Sequence, residues 1–207
     1  MQQANDFLDE SKALSTLLAS LSEGDFETPT QFKGWTINNI IRHLHVWNIA
    51  VDLSLHDEAA FGAFVAEMMA GVRGGKLPAF EESYLDGLSG HALRNAWIER
   101  AEATAVAFAE ADPKLRLKWV GPDMSALSSI TARLMETWAH GQAVYDVLGV
   151  ERQDTDRIGN IARLGVNTWG FTWKNRRQDP PGPMPQLHLT APSGAIWEYG
   201  EASDSGM

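Results

Sequence analysis

Apolar positions recur at intervals of three and four residues along most of the chain, the period of one helix face, and turn to strict alternation only near residue 190. Over residues 3–22, Phe7, Leu8, Leu14, Leu17, Leu18 and Leu21 keep the helical spacing. A second helix has a sharp start. Thr36 offers a capping hydroxyl, Trp35 before it is placed to staple onto Ile40, and Ile37, Ile40, Ile41, Leu44, Asn48 and Val51 make one stripe. A shorter helix is predicted over 57–72, closed by Gly74 and Gly75. Ser89 caps a helix reaching Ala111, ahead of Pro113, and Ser125 caps one reaching Leu148, with Gly149 as its terminator. Another starts near Asp154 or Thr155 and ends before Gly170.

Pro180, Pro181, Pro183 and Pro185 then interrupt the pattern as a linker. Residues 186–190 and 195–199 alternate around Pro192-Ser193-Gly194, a hairpin signal. The prediction is a mainly α protein: a helical bundle over 1–175, then a Pro-rich linker and β-hairpin tail over 176–207.

Composition narrows the classes. Hydrophobic residues make up 44% of the 207, enough for a real core, and no run approaches the length of a membrane span. The acid- and amide-rich start, Met1 to Glu10, is unlike a signal peptide, so the cytoplasm is the expected compartment. With 17 basic against 27 acidic side chains and a formal charge of −10, most faces repel a phosphate backbone, and no nucleic-acid partner is expected. There is no cysteine, so any metal must be held by nitrogen and oxygen.

Of the six histidines, only His140 has a carboxylate at a chemically useful spacing, Glu136. Four residues apart on a helix, the two side chains share a face. That face continues through Ala143 and Val147, so the pair points toward the bundle interior, where an ionised carboxylate needs a partner or a metal. The plain alternative is a solvated intrahelical pair. A third ligand is needed, and His43 and His45 both offer one. At about 100° per residue each lies on a flank of the Ile37/Ile40/Leu44/Val51 stripe, so periodicity does not choose between them.

The same residues carry a family likeness. The run from Gly34-Trp35-Thr36 to His43-Leu44 resembles a segment of DinB-like proteins. The run from Thr131 through Glu136 and His140 to Gln142 resembles the second metal-binding segment of the mycothiol-dependent maleylpyruvate isomerase branch, and Trp119 to Gly149 is similar to an uncharacterised subgroup of it. The resemblance implies a DinB-like four-helix bundle with an extra helix, and a mononuclear metal site made by His43, Glu136 and His140. It makes His45 a neighbour of that site or of the substrate. Ala143 stands where many relatives carry Asp, and the tail resembles the start of a C-terminal α+β domain found in fuller relatives.

Three protein ligands leave coordination positions open, the arrangement of a catalytic metal. Two imidazoles and a carboxylate suit zinc first, and nickel, manganese or iron fit the same donors. The resemblance implies a low-molecular-weight thiol cosubstrate (mycothiol, bacillithiol or glutathione) activated for transfer to, or isomerisation of, a small electrophile. Trp47 and Trp138 are candidate pocket walls, and Arg133 is placed to pair with Glu136 or to meet an anionic substrate. The alternative reading is a metal- or ligand-binding helical module without turnover, acting as a homodimer.

Overall fold

The computed structural model describes residues 1–73 and 77–200, in which eight α-helices and two small antiparallel sheets are found. Gly74 and Gly75, the expected stop of the third helix, lie outside the described residues. The chain divides into two compact units, residues 1–152 and 153–207.

In the first unit, α1 (Gln2–Leu18), α2 (Ile37–His56), α5 (Gly90–Glu110) and α6 (Ala126–Leu148) form the predicted four-helix bundle. Helix α1 packs on α5 and α6, and α2 packs on the same two, so α1 and α2 are diagonal partners. Two further helices, α3 (Glu58–Arg73) and α4 (Leu77–Tyr84), pack on α2. Helix α2 is therefore covered on several sides, and burial extends beyond its predicted stripe, which includes Asn48, to Asn38, Arg42, His43 and His45. A helix that is enclosed all round must give its polar side chains partners inside the protein. Those partners build the site.

Helix starts and stops follow the expected chemistry. Thr36 Oγ1 accepts from Asn39 N–H (3.2 Å) and the Asn39 side chain returns a bond to Thr36 N–H (3.0 Å), a closed capping box. Trp35 packs on the core cluster that holds Ile40. Ser125 accepts from Ser128 N–H at 3.1 Å, and Gly149 ends α6 in the left-handed region, φ 64°.

The structure departs from the sequence reading at several places. Helix α1 stops at Leu18 rather than 22, because Ser22 and Asp25 cap a separate 3-10 turn, Glu23–Glu27. Helix α4 was not predicted; eight residues are too short for periodicity to declare. Nor was the two-residue pairing of β1 (Arg116–Leu117) with β2 (Met124–Ser125).

In the second unit, a helical stretch begins near residue 156 and ends at Asn167, before Gly170 as predicted, but a further short helix follows at once. The Thr168 hydroxyl donates back to Leu164 C=O (2.9 Å) and its backbone leaves helical geometry, separating α7 (Gly159–Asn167) from α8 (Trp169–Asn175). The predicted hairpin is present, β3 (Leu187–Thr190) against β4 (Ile196–Tyr199), and Trp197 packs on Gly159 of α7.

One buried ion pair closes the first unit. Arg152 Nη2 meets Glu10 Oε1 at 2.9 Å, with both side chains about 5% exposed or less. Arg152 Nη1 donates to Trp138 C=O (2.7 Å) and Gln142 Oε1 (3.1 Å), and its guanidinium lies over the Trp138 and Tyr145 rings. Residue 152 is thereby tied to both α1 and α6.

Candidate metal centre

Helix α2 delivers His43, and one turn of α6 delivers Glu136 and His140. Their ligand atoms all lie within 4.8 Å of one another. His140 Nε2 is 3.0 Å and His43 Nε2 3.6 Å from the same oxygen, Glu136 Oε2. Donors bound tetrahedrally at about 2.0–2.2 Å stand roughly 3.4 Å apart. The two measured separations bracket that spacing, so the trio fits one small divalent ion with little adjustment. It is also not sealed: Glu136 remains 33% exposed at its side chain.

The other nitrogen of His43 is held from behind. His43 Nδ1 lies 2.7 Å from Glu81 Oε1, an oxygen that also accepts from Trp47 Nε1–H at 3.1 Å. Glu81 sits on α4, wholly buried, and its second oxygen has no hydrogen-bond partner among the described residues. A carboxylate on Nδ1–H fixes the tautomer whose Nε2 lone pair faces the trio, the usual support of a metal-bound histidine. The sequence offered no sign of this. Glu81 lies 38 positions from His43, inside a short helix, next to Glu82 in what reads as an acidic surface pair.

Arg133, one turn before Glu136, is buried between α6 and α2. Its Nε–H donates to Asn48 Oδ1 (3.0 Å), and Nη2 reaches toward Leu44 C=O (3.5 Å). Burial lowers its pKa to about 10, opposed by the charges of Glu136 and Glu81, so it stays a cation at neutral pH. Burial by itself would raise the pKa of Glu136. Hydrogen bonds from His140 and His43 and the charge of Arg133 outweigh it, and the carboxyl is held well below its ordinary range. Burial likewise works against protonation of His43, but its bonds to Glu136 and Glu81 prevail and its pKa is raised.

Two cavities meet at the trio. A cleft of about 610 Å³ is lined by Phe32, Lys33, Trp35 and Pro78 together with all three candidate ligands. A smaller one, about 240 Å³, is lined by Trp47, Trp119, Ala132 and Arg133 together with His43 and Glu136. Of the expected neighbours, Trp47 and Arg133 thus stand beside the trio. His45 does not: it faces α5, lining a separate cavity with Arg100. Trp138 packs against Arg152 instead. The wall residues Phe32, Lys33 and Trp119 were not foreseen, since loops carry no period. The Trp35 ring stacks on His140 (6.0 Å between centroids, 2° between planes), so the staple residue doubles as a wall.

The family model described as the mycothiol maleylpyruvate isomerase N-terminal domain matches residues 7–145. The chain belongs to that family. Two uncharacterised proteins of Mycobacterium tuberculosis, one from each of two strains, are each 38% identical over 197 residues, covering 94% of this chain and 75% of theirs. A crystal structure of the mycothiol-dependent maleylpyruvate isomerase shares the fold, with a TM-score of 0.55 and 18% identity over 94% of this chain and 78% of that one. A histidine-to-alanine variant of that enzyme gives a TM-score of 0.56. The fold expected from the sequence, a DinB-like bundle with helical and β additions, is the one found. Among the described residues no helix is long and apolar enough to cross a membrane.

Proposed function

We propose that this protein is a divalent-metal-dependent enzyme that activates a low-molecular-weight thiol and adds it to a small electrophile, for transfer or for cis–trans isomerisation. The observation that carries the reading is three ligand atoms around one centre with two cavities opening onto it.

A divalent ion held by His43, Glu136 and His140 would supply the positive charge that keeps a thiol ionised at neutral pH. Zinc is the best match to two imidazoles and a carboxylate, with nickel, manganese and iron as fitting substitutes. The chain's own residues prepare that state. Glu81 holds the His43 ring and its tautomer, and Arg133 keeps Glu136 ionised. Without an ion, the buried Glu81 and the partly exposed Glu136 carry two negative charges against the one positive charge of Arg133. A divalent ion reverses the local sign, and the site then favours an anion such as a thiolate.

The thiolate sulfur forms a bond to an unsaturated carbon conjugated to a carbonyl; the π pair moves onto that carbonyl as an enolate, and the former double bond becomes single and free to rotate. Return of the pair expels the thiolate and restores the double bond in the other geometry, whereas protonation of the adjacent carbon from water retains the sulfur and gives transfer. Mycothiol and maleylpyruvate, named for the family and for its solved structure, are the first pair to test, with bacillithiol and glutathione as alternative thiols.

Metal analysis of the purified protein tests the first half: one ion per chain is expected, lost in the Glu136→Ala/His140→Ala double variant. Thiol-dependent consumption of maleylpyruvate, followed by absorbance, tests the second. Protein purified from metal-replete cells without a stoichiometric ion would sink the proposal.

A further inference from the structure

The second buried histidine of α2 faces away from the metal centre, toward α5, and nothing in the thiol-enzyme reading uses it. His45 is 7% exposed, its Nδ1 is buried, and its ring nitrogens bond no described residue. A buried polar group without a partner is a cost that an apolar side chain of similar size would avoid, so its place in the fold calls for a reason.

His45 lines a cavity of about 330 Å³ together with Ala96, Glu99, Arg100 and Ala103 of α5, at the small end of the range of ligand pockets. Ala96 and Ala103 stand about two turns apart and, being short, leave the space open. Arg100 is partly engaged: its Nη1 donates to Asp52 Oδ2 (3.2 Å), while Nε and Nη2 donate to no described residue. The Asp52 carboxylate also lies 3.7 Å from His56 Nε2. Glu99 is exposed and pairs with no described residue. Burial and the charge of Arg100 both oppose the charged form of His45, so its ring offers one N–H and one lone pair.

Spare guanidinium donors, a free carboxylate and a neutral ring around one small space match a molecule that carries both charges close together. A lone oxyanion would be repelled by Glu99 and would find Arg100 already half-countered by Asp52. A lone amine would meet the Arg100 charge. An α-amino acid satisfies all three: its carboxylate takes the guanidinium fork, its ammonium takes Glu99, and His45 bonds either end. Its side chain then runs along the Ala96–Ala103 wall, which has room for a small one.

We infer that the α2–α5 cavity at His45, Glu99 and Arg100 binds a small free α-amino acid, at a site separate from the metal centre and independent of the metal.

Glycine, L-alanine and L-valine are the probes, titrated at up to millimolar concentration into isotope-labelled protein and followed by amide NMR, with and without zinc. At least one should shift the signals of residues 96–103 saturably and with equal affinity in both forms. The N-acetyl derivative and the carboxamide of that amino acid, each lacking one charge, should bind at least tenfold more weakly. Ala103→Leu, at an exposed helical position, fills the cavity and should abolish the shifts while leaving zinc stoichiometry unchanged. Glu99→Gln should weaken the amino acid at least tenfold and leave the N-acetyl derivative unaffected. Absence of a saturable shift with all three probes overturns the assignment, as do equal affinity for the derivatives and binding that survives Ala103→Leu. Binding lost in the Glu136→Ala/His140→Ala double variant overturns it too, since the ligand would then sit at the metal centre. Failure of the wild type to bind zinc, with the shifts at residues 96–103 intact, would count against the metal-enzyme reading alone.

Discussion

His43 and His45 stand two residues apart on α2, equally buried at 9% and 7% exposure, and differ in what surrounds them. His43 faces α4 and α6, where Glu81 and Glu136 engage its two nitrogens and raise its pKa. His45 faces α5, where its Nδ1 has no hydrogen-bond partner among the described residues, and burial followed by the charge of Arg100 pushes its pKa down to about 4. Burial alone makes a neutral histidine; burial between carboxylates makes one fit to hold a cation. Depth in the fold therefore says little about a histidine's role, and the identity of its neighbours says most of it.

The sharpest way to break this comparison is to remove each imidazole in turn. His43→Ala should lower zinc affinity by more than the roughly 10- to 100-fold typical of losing an outer partner, whereas His45→Asn should leave the metal stoichiometry unchanged. Equal losses, read by competition with a chromophoric chelator, would erase the distinction.

Acid titration of the metal-free protein comes next. The folded-state pKa of His45 is depressed, so its contribution to stability is present above the unfolded value of about 6.5 and is lost as pH falls toward 4. Denaturant unfolding should show a decline of about 2–3 kcal/mol over that window, flattened in His45→Leu. His43 has the opposite sign: its raised folded pKa gives stability that is present below about 6.5 and lost as pH rises through the folded value.

Glu81→Gln tests the support behind His43. It keeps the shape and removes the charge, and zinc affinity should fall about 10- to 100-fold with the fold intact by circular dichroism. The smallest effect is expected at the start of the helix the two histidines share. Thr36→Ala should cost about 1 kcal/mol of unfolding free energy and leave zinc affinity within a fewfold of wild type.

The long amphipathic helices, their caps and the Glu136–His140 pair are legible in the sequence because each depends on residues within one or two turns of one another. His43 is not separable from His45 that way, since the wheel places both on flanks; only the resemblance favours His43, and what distinguishes them physically is a carboxylate 38 positions away. Glu81 itself, the Lys33 turn and the Trp119 wall lie in short or irregular segments, whose side-chain directions are set by packing and not by period.

The latch formed by Arg152 and Glu10 bears on how such a chain can change over time. A bundle whose opening helix is fastened to the last residue of its own unit keeps α1 seated beside α6 by contacts within that unit. Insertions, deletions and exchanged segments accumulating downstream of that arginine would then be tolerated while the cation-holding geometry is inherited unaltered, and length differences among kin should gather on that side of it.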